Sequence, residues 1–350
     1  MAISAVDVVG PAFERTKQQL FRPFRLSQWL RLAITGLLAG EMGSAGGCNF
    51  QLPFKPPTTS TGQGLPSIPE LSAITPVLLL GVGLLLIAIL VLAVVFMVIS
   101  SRMRFVLFDS IVARECRIRH FWSKRAEPGF RYFIWVGFFS IASFLAFILA
   151  VGIPVGIALG LGFLTTPRDR IVPLVLLGFA ALVLVLAALI ATAVISVLTK
   201  DFVVPQMACD GISALEGWRR LLAIMKQDKV AYAAYIGMKL VLTIAVGVLL
   251  GIISIVLVLI VLLPVGGAGV LAALWARSVG LGWNPVTIAT AIVAGGIALA
   301  AVMLVVSLVS VPSVVFFSNY AMLYFADRYP PLHAALFPAA NGGPELIRGQ

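Results

Sequence analysis

Residues Ile74 to Ser101 read ITPVLLLGVGLLLIAILVLAVVFMVISS, a run without one ionisable side chain. A helix rises about 1.5 Å per residue, so about 20 apolar residues already cross a hydrocarbon core roughly 30 Å thick. The stretch therefore predicts a membrane-spanning helix. Working outward, comparable runs occupy Phe130 to Leu164, Val172 to Leu198, Val230 to Leu263 and Val286 to Phe325. A weaker one, Ser27 to about Gly47, holds Arg31 near its start and Glu41 near its end. Several runs exceed what a bilayer needs, and tilting, kinks at Pro154 or Pro312, or extension beyond the membrane must absorb the excess.

The whole composition agrees. Of 350 residues, 61% are hydrophobic and 11% charged, with a mean hydropathy of +1.08. Soluble domains carry about 25% charged residues, which excludes a water-soluble globule. A transmembrane β-barrel would alternate polar and apolar residues in short segments, and these runs do not. Met1 to Gln19 lacks the basic start and apolar core of a secretory signal, and Asp7 and Glu14 interrupt it. The expected fold class is all-α: a polytopic membrane helical bundle of about six spans.

The net charge of +11 is informative through its placement, because Lys and Arg mark cytoplasmic loops. Of 25 basic residues, 20 fall before span one, between spans two and three, between four and five, and after six. The opposite loops hold Lys55, Arg168, Arg170 and Arg277, and Lys239 sits inside span five. This asymmetry predicts a multi-pass protein of a plasma membrane with both termini cytoplasmic. It also supports the weak first span, without which Arg15 to Arg31 would lie outside.

A basic amphipathic segment precedes each pair of spans. In Asp210 to Lys229, Asp210 suits an N-cap, and Ile212, Leu215, Trp218, Leu222 and Met225 form a stripe at helical spacing. Asp109 to Trp122 opens similarly, and a third segment begins at Pro11 with Phe13 and Leu20 on one side. The expectation is a single membrane domain over 1–350. It comprises three repeats of amphipathic helix plus transmembrane hairpin, about 3–101, 102–200 and 201–328. An irregular extracytoplasmic loop, 41–73, and a cytoplasmic tail, 329–350, complete it. Pro264 to Pro285, with Trp275 and Trp283, reads as a short interfacial or re-entrant helix.

The order of elements resembles uncharacterised six-span bacterial and archaeal membrane families, domains of unknown function. It is also similar in layout to the membrane domain of some glycerophosphodiester phosphodiesterases. The N-terminal runs Phe13-Glu14-Arg15-Thr16-Lys17, Leu20-Phe21-Arg22-Pro23-Phe24-Arg25 and Trp29-Leu30-Arg31-Leu32 carry the first resemblance. It implies a membrane fold and supplies no catalytic motif. No phosphodiesterase barrel accompanies the spans, so that activity is not implied.

Few residues are candidates for chemistry. An acid or base within a span is a functional candidate by default, which singles out Glu41, Lys239 and the polar Asn319. Against this, Glu41 reads as an interfacial carboxylate at the outer end of span one, and Lys239 as snorkelling back to the cytoplasmic interface. Gly152, Gly156 and Gly160, with Gly247 and Gly251, are spaced for close helix packing. Asp109, Asp201 and Asp210 read as helix-end residues, where capping accounts for acids. Three cysteines and two histidines, His120 and His333, are scattered without ligand or triad spacing. No metal site, cofactor motif or catalytic set is expected. Basic segments with interleaved Phe and Trp favour anionic lipid headgroups over nucleic acid because they adjoin spans. The sequence thus predicts a non-enzymatic scaffold or accessory component interacting with lipids, a partner membrane protein or a second copy. The alternative is a transporter or channel for a lipid-like or small amphiphilic solute.

Overall fold

The computed structural model describes residues 4–22, 24–41, 68–163, 171–278 and 285–337. Most of the expected loop 41–73, the turn 164–170, Trp283 and most of the tail 329–350 lie outside them. The described residues are helical, with no strand among them. In chain order the helices are α1 (Val9–Phe21), α2 (Leu26–Leu38), α3 (Ile68–Val112), α4 (Ile118–Lys124) and α5 (Ala126–Gly160). Then come α6 (Ile171–Leu198), α7 (Val204–Asp210), α8 (Ala214–Gln227), α9 (Lys229–Ser278), α10 (Pro285–Ala326) and α11 (Pro330–Leu336).

Five of the described helices are long and apolar enough to cross a membrane: α3, α5, the α6–α7 rod, α9 and α10. The expected first span is the difference. Its helix, α2, has 13 residues and rises about 20 Å, short of a bilayer's roughly 30 Å. It stops because Gly40 turns left-handed, at φ 72°. The Glu41 N–H then reaches back to the Gly36 carbonyl (3.0 Å) and the Gly40 N–H to that of Leu37 (3.1 Å). This pair of bonds is the Schellman closure, which glycine favours because a Cβ strains that conformation.

Helix α2 lies antiparallel along the last turns of α3. Gln28 donates to the Arg114 carbonyl, Arg31 to that of Cys116, and Arg104 to that of Ala39. On its other side, a Cβ at Gly36 would stand 3.4 Å from Val314 of α10. Helix α1 packs on α10 as well, where the Tyr320 hydroxyl donates to the Ala5 carbonyl. Helix α1 and the last long helix, α10, thus meet at one end of the bundle.

That end holds the core. Phe105, Ile111, Phe202, Met207, Leu221, Tyr232, Tyr235, Tyr320, Tyr324, Phe325 and Leu332 are fully buried there. In the most apolar stretches of α3, the α6–α7 rod and α9, by contrast, no residue is buried. Lipid tails are as apolar as leucine, so no hydrophobic force draws these segments together.

A five-residue π turn, Thr199–Val203, joins α6 to α7. Pro205 lacks the N–H that would bond the Asp201 carbonyl, and the missing bond favours the wider turn just before it. The turn puts Phe202 at the centre of the core, its ring 5.0 Å from Tyr235, 5.1 Å from Phe325 and 5.3 Å from Tyr232. Helix α8 closes over it: a Cβ at Gly217 would stand 2.8 Å from Val203, so a side chain there would push the two apart.

The three expected amphipathic segments fold unlike one another. Asp109 lies in the last turn of α3, and a bend with Arg114 at φ 57° separates it from the seven-residue α4. Helix α8 forms as expected, but its N-cap is Ser213, whose hydroxyl accepts the Glu216 N–H; Asp210 ends α7 instead. Its core-facing residues are Ala214, Gly217 and Leu221, while Leu215 and Leu222 of the expected stripe are exposed. Among the described residues of Pro264 to Pro285 no separate short helix precedes α10. Helix α9 runs through that proline to Ser278.

Candidate functional site: a charge cluster at the base of the spans

Closure of α2 carries Glu41 toward two cations from other helices, Arg104 of α3 at 3.2 Å and Lys200 of the π turn at 3.5 Å. Arg104 also donates to the Ala39 carbonyl (2.9 Å), neutralising part of the negative end of the α2 dipole. Its other Nη bonds the Tyr132 hydroxyl of α5. Beside this group, Asp201 accepts from the Tyr235 hydroxyl (2.9 Å) and pairs with Lys239. Both partners lie on α9, one helical turn apart.

The two sets line one cavity of about 70 Å³. Five ionisable residues therefore converge: Glu41, Arg104, Lys200, Asp201 and Lys239. Their formal charges are three positive and two negative. The remaining wall is mostly apolar, with Phe108 and Leu107 from α3, Phe317 and Met322 from α10, and Val204, and it includes the hydroxyls of Thr243 and Ser318. The Nε of Arg104 is buried with no hydrogen-bond partner among the described residues.

Two of these five, Glu41 and Lys239, are the ionisable intramembrane candidates of the sequence, and the structure brings both to one cavity. Glu41 sits against Arg104 of α3 and Lys200 at the end of α6, level with the basic ends of both helices. Lys239 reaches across to Asp201, with which it forms an ion pair. Arg104, Lys200 and Asp201 read as flanking or capping residues, and only their convergence on Glu41 gives them another role. The available signal was an acid within reach of a basic helix end.

Asn319 lies apart from the cavity. Its amide donates to Thr16 (3.2 Å) and Gln19 (3.5 Å), tying α10 to α1. Within one chain, a Cβ at Gly152, Gly156, Gly160 or Gly251 would meet nothing within 4 Å; Gly247 is half-buried. Gly152, Gly156, Gly160 and Gly251 thus face open space within the protomer.

Two further carboxylates clamp arginines at the basic end. Asp109 takes both prongs of Arg125 at 2.7 Å, and Arg125 also donates to the Ala208 carbonyl. Burial disfavours the Arg125 charge, but the hydrogen bonds and charge of Asp109 outweigh it and raise its pKa. Asp210 accepts from Arg220 (2.7 Å) and from the Tyr329 hydroxyl (2.5 Å). Burial and then this hydrogen bond push the Tyr329 pKa up. His120 and His333 are exposed, and Cys116 and Cys209 are free thiols. Among the described residues no group of three or more His, Cys, Asp or Glu is placed to hold a metal ion.

No curated protein and no solved structure matches the chain. A family profile does, over residues 3–335. A chain with five long apolar helices and a charge cluster at their packed end thus belongs to DUF7544, a family of unknown function.

Proposed function

We propose that the protein is a non-enzymatic scaffold or accessory component of a bacterial or archaeal plasma membrane. In this reading its basic end is cytoplasmic, carries both termini and engages anionic lipid headgroups. The observation that carries it is the division of the molecule. The packed core sits at the basic end, while the apolar spans stand exposed to lipid. Around that core, Phe13, Phe21, Phe24, Leu26, Leu215 and Leu222 are exposed beside Arg22, Arg25 and Arg219. Apolar and basic side chains side by side suit a headgroup boundary, where each nearby cation adds about 1 kcal/mol on an anionic surface.

The test is native mass spectrometry of the chain released from nanodiscs of mixed anionic and zwitterionic lipid. Enrichment of anionic lipid is expected, decreasing when Arg22, Arg25 and Arg219 become Gln. Equal retention of both lipid classes by the parent chain would remove the reading.

The cavity lined by Glu41 and Lys239 supports a second reading, a transporter or channel for a lipid-like or small amphiphilic solute. Solute flux in proteoliposomes that disappears with Lys239→Met would favour it over the scaffold.

A further inference from the structure

The cluster at the base of the spans joins three features that rarely coincide. It is a cavity, its ionisable residues carry one positive charge in excess, and the rest of its wall is apolar but for Thr243 and Ser318. Glu41 is shared between Arg104 and Lys200, while Asp201 is taken by Lys239 and Tyr235. The five side chains are each about three-quarters or more buried. Internal pairing therefore leaves one cationic charge away from bulk water. A buried charge is costly unless an opposite charge or a set of hydrogen bonds meets it. The Nε–H of Arg104 is buried and without a hydrogen-bond partner among the described residues as well. Three cations from α3, the π turn and α9 face one space of about 70 Å³, enough for a small tetrahedral anion. Phe108, Phe317 and Met322 on its wall suit the first carbons of an attached chain.

We propose that this cavity is a binding site for one phosphate group, carried by an anionic amphiphile such as a phospholipid headgroup. Lys200 and Arg104 supply the contacts, with Lys239 adding its field from across the cavity. Guanidinium and ammonium donors form charge-assisted bonds to phosphate oxygens. Glu41 and Asp201 hold the cations in place and keep the site from taking a highly charged anion. This site deepens the lipid-binding reading above but is separate from the exposed basic surface, so each can fail alone.

The full chain, purified in a neutral detergent, is titrated with dihexanoyl phosphatidic acid, dihexanoyl phosphatidylcholine or inorganic phosphate. Binding is followed by native mass spectrometry and thermal stabilisation. Phosphatidic acid is expected to bind one per chain and phosphatidylcholine more weakly. Lys200→Gln removes a charge-assisted contact and should weaken phosphatidic acid binding roughly tenfold to hundredfold. Thr243→Phe keeps every charge but fills the cavity mouth, and should block binding equally. It carries the test if Lys200→Gln does not purify as a single species. Lys226→Gln, exposed on α8 and outside both the cavity and the lipid-facing set named above, should leave this binding unchanged. If inorganic phosphate binds as tightly as phosphatidic acid and is lost with the same variants, the phosphate site stands and its natural ligand is a free phosphoanion. Binding that survives Lys200→Gln and Thr243→Phe but disappears with Arg22→Gln, Arg25→Gln and Arg219→Gln together overturns the site and leaves the surface reading standing. Absence of any phosphatidic acid binding overturns the site as well.

Discussion

The two ends of the same helices obey different rules. Around Phe202 the chain is packed as a soluble protein's interior is, with aromatic rings 5.0 to 6.1 Å apart and ion pairs drawn inside. One or two turns further along, in α3, α6 and α9, leucines and valines are exposed on every side. The contrast teaches where specificity lies. In hydrocarbon an apolar residue gains nothing by leaving lipid for another helix, whereas polar groups and close-fitting rings gain from each other. The fold is thus specified at the basic end, and the spans extend from it.

Substitutions separate the two regimes. Phe202→Ala removes the ring at the centre of the core and should cost about 3–5 kcal/mol, read as a lowered midpoint of unfolding in a mild detergent. Leu86→Ala, on an exposed face of α3, should stay within about 0.5 kcal/mol. Equal losses at the two positions would break the comparison. Lys239→Met strands Asp201 and should cost about 3 kcal/mol or more, and adding Asp201→Asn should recover much of it. No recovery in the double variant would mean the pair is not coupled.

Smaller effects refine the boundary. Gly40→Ala strains the left-handed closure of α2 and should cost about 1 kcal/mol. It should also loosen Glu41 from Arg104, seen as faster proteolysis of the N-terminal segment. Tyr329 sits outside the spans, and its pKa is raised by burial and by Asp210. A raised folded value means the protonated hydroxyl stabilises the fold below its unfolded pKa near 10. That contribution disappears as pH climbs through the folded value. Stability should therefore be insensitive to this group at neutral pH and fall in strong alkali, and Tyr329→Phe should remove that component. Gly156→Leu meets open space within one chain and should change stability by less than about 0.5 kcal/mol. A larger loss, accompanied by a smaller particle in solution, would reveal a second copy packed on α5.

The long helices were legible because hydropathy alone delimits them. The expected fourth span begins at Val172 and α6 at Ile171; the expected sixth begins at Val286 and α10 at Pro285. The extensions beyond the bilayer, such as Ser278 of α9, were not delimited by this means, since helix and apolar run need not end together. Helix α2 was misjudged because a window average over Ser27 to Gly47 does not register the single left-handed residue that ends it. The N-cap of α8 was misplaced by one short turn because Asp210 and Ser213 both suit the role, and a competing partner, Tyr329, takes Asp210. The charge cluster was hidden for a different reason. Its members are each ordinary in their own segment, and only the folding together of α2, α3, the π turn and α9 makes them neighbours.

That dispersal along the chain has a consequence for biogenesis. Glu41 is synthesised before either of its cations, and Asp201 before Lys239. A nascent chain halted ahead of Lys200 carries Glu41 with Arg104 alone, and one halted ahead of Lys239 leaves a carboxylate uncompensated at the membrane. Each pair can close only once its later partner has been made, Arg104 first, Lys200 next and Lys239 last.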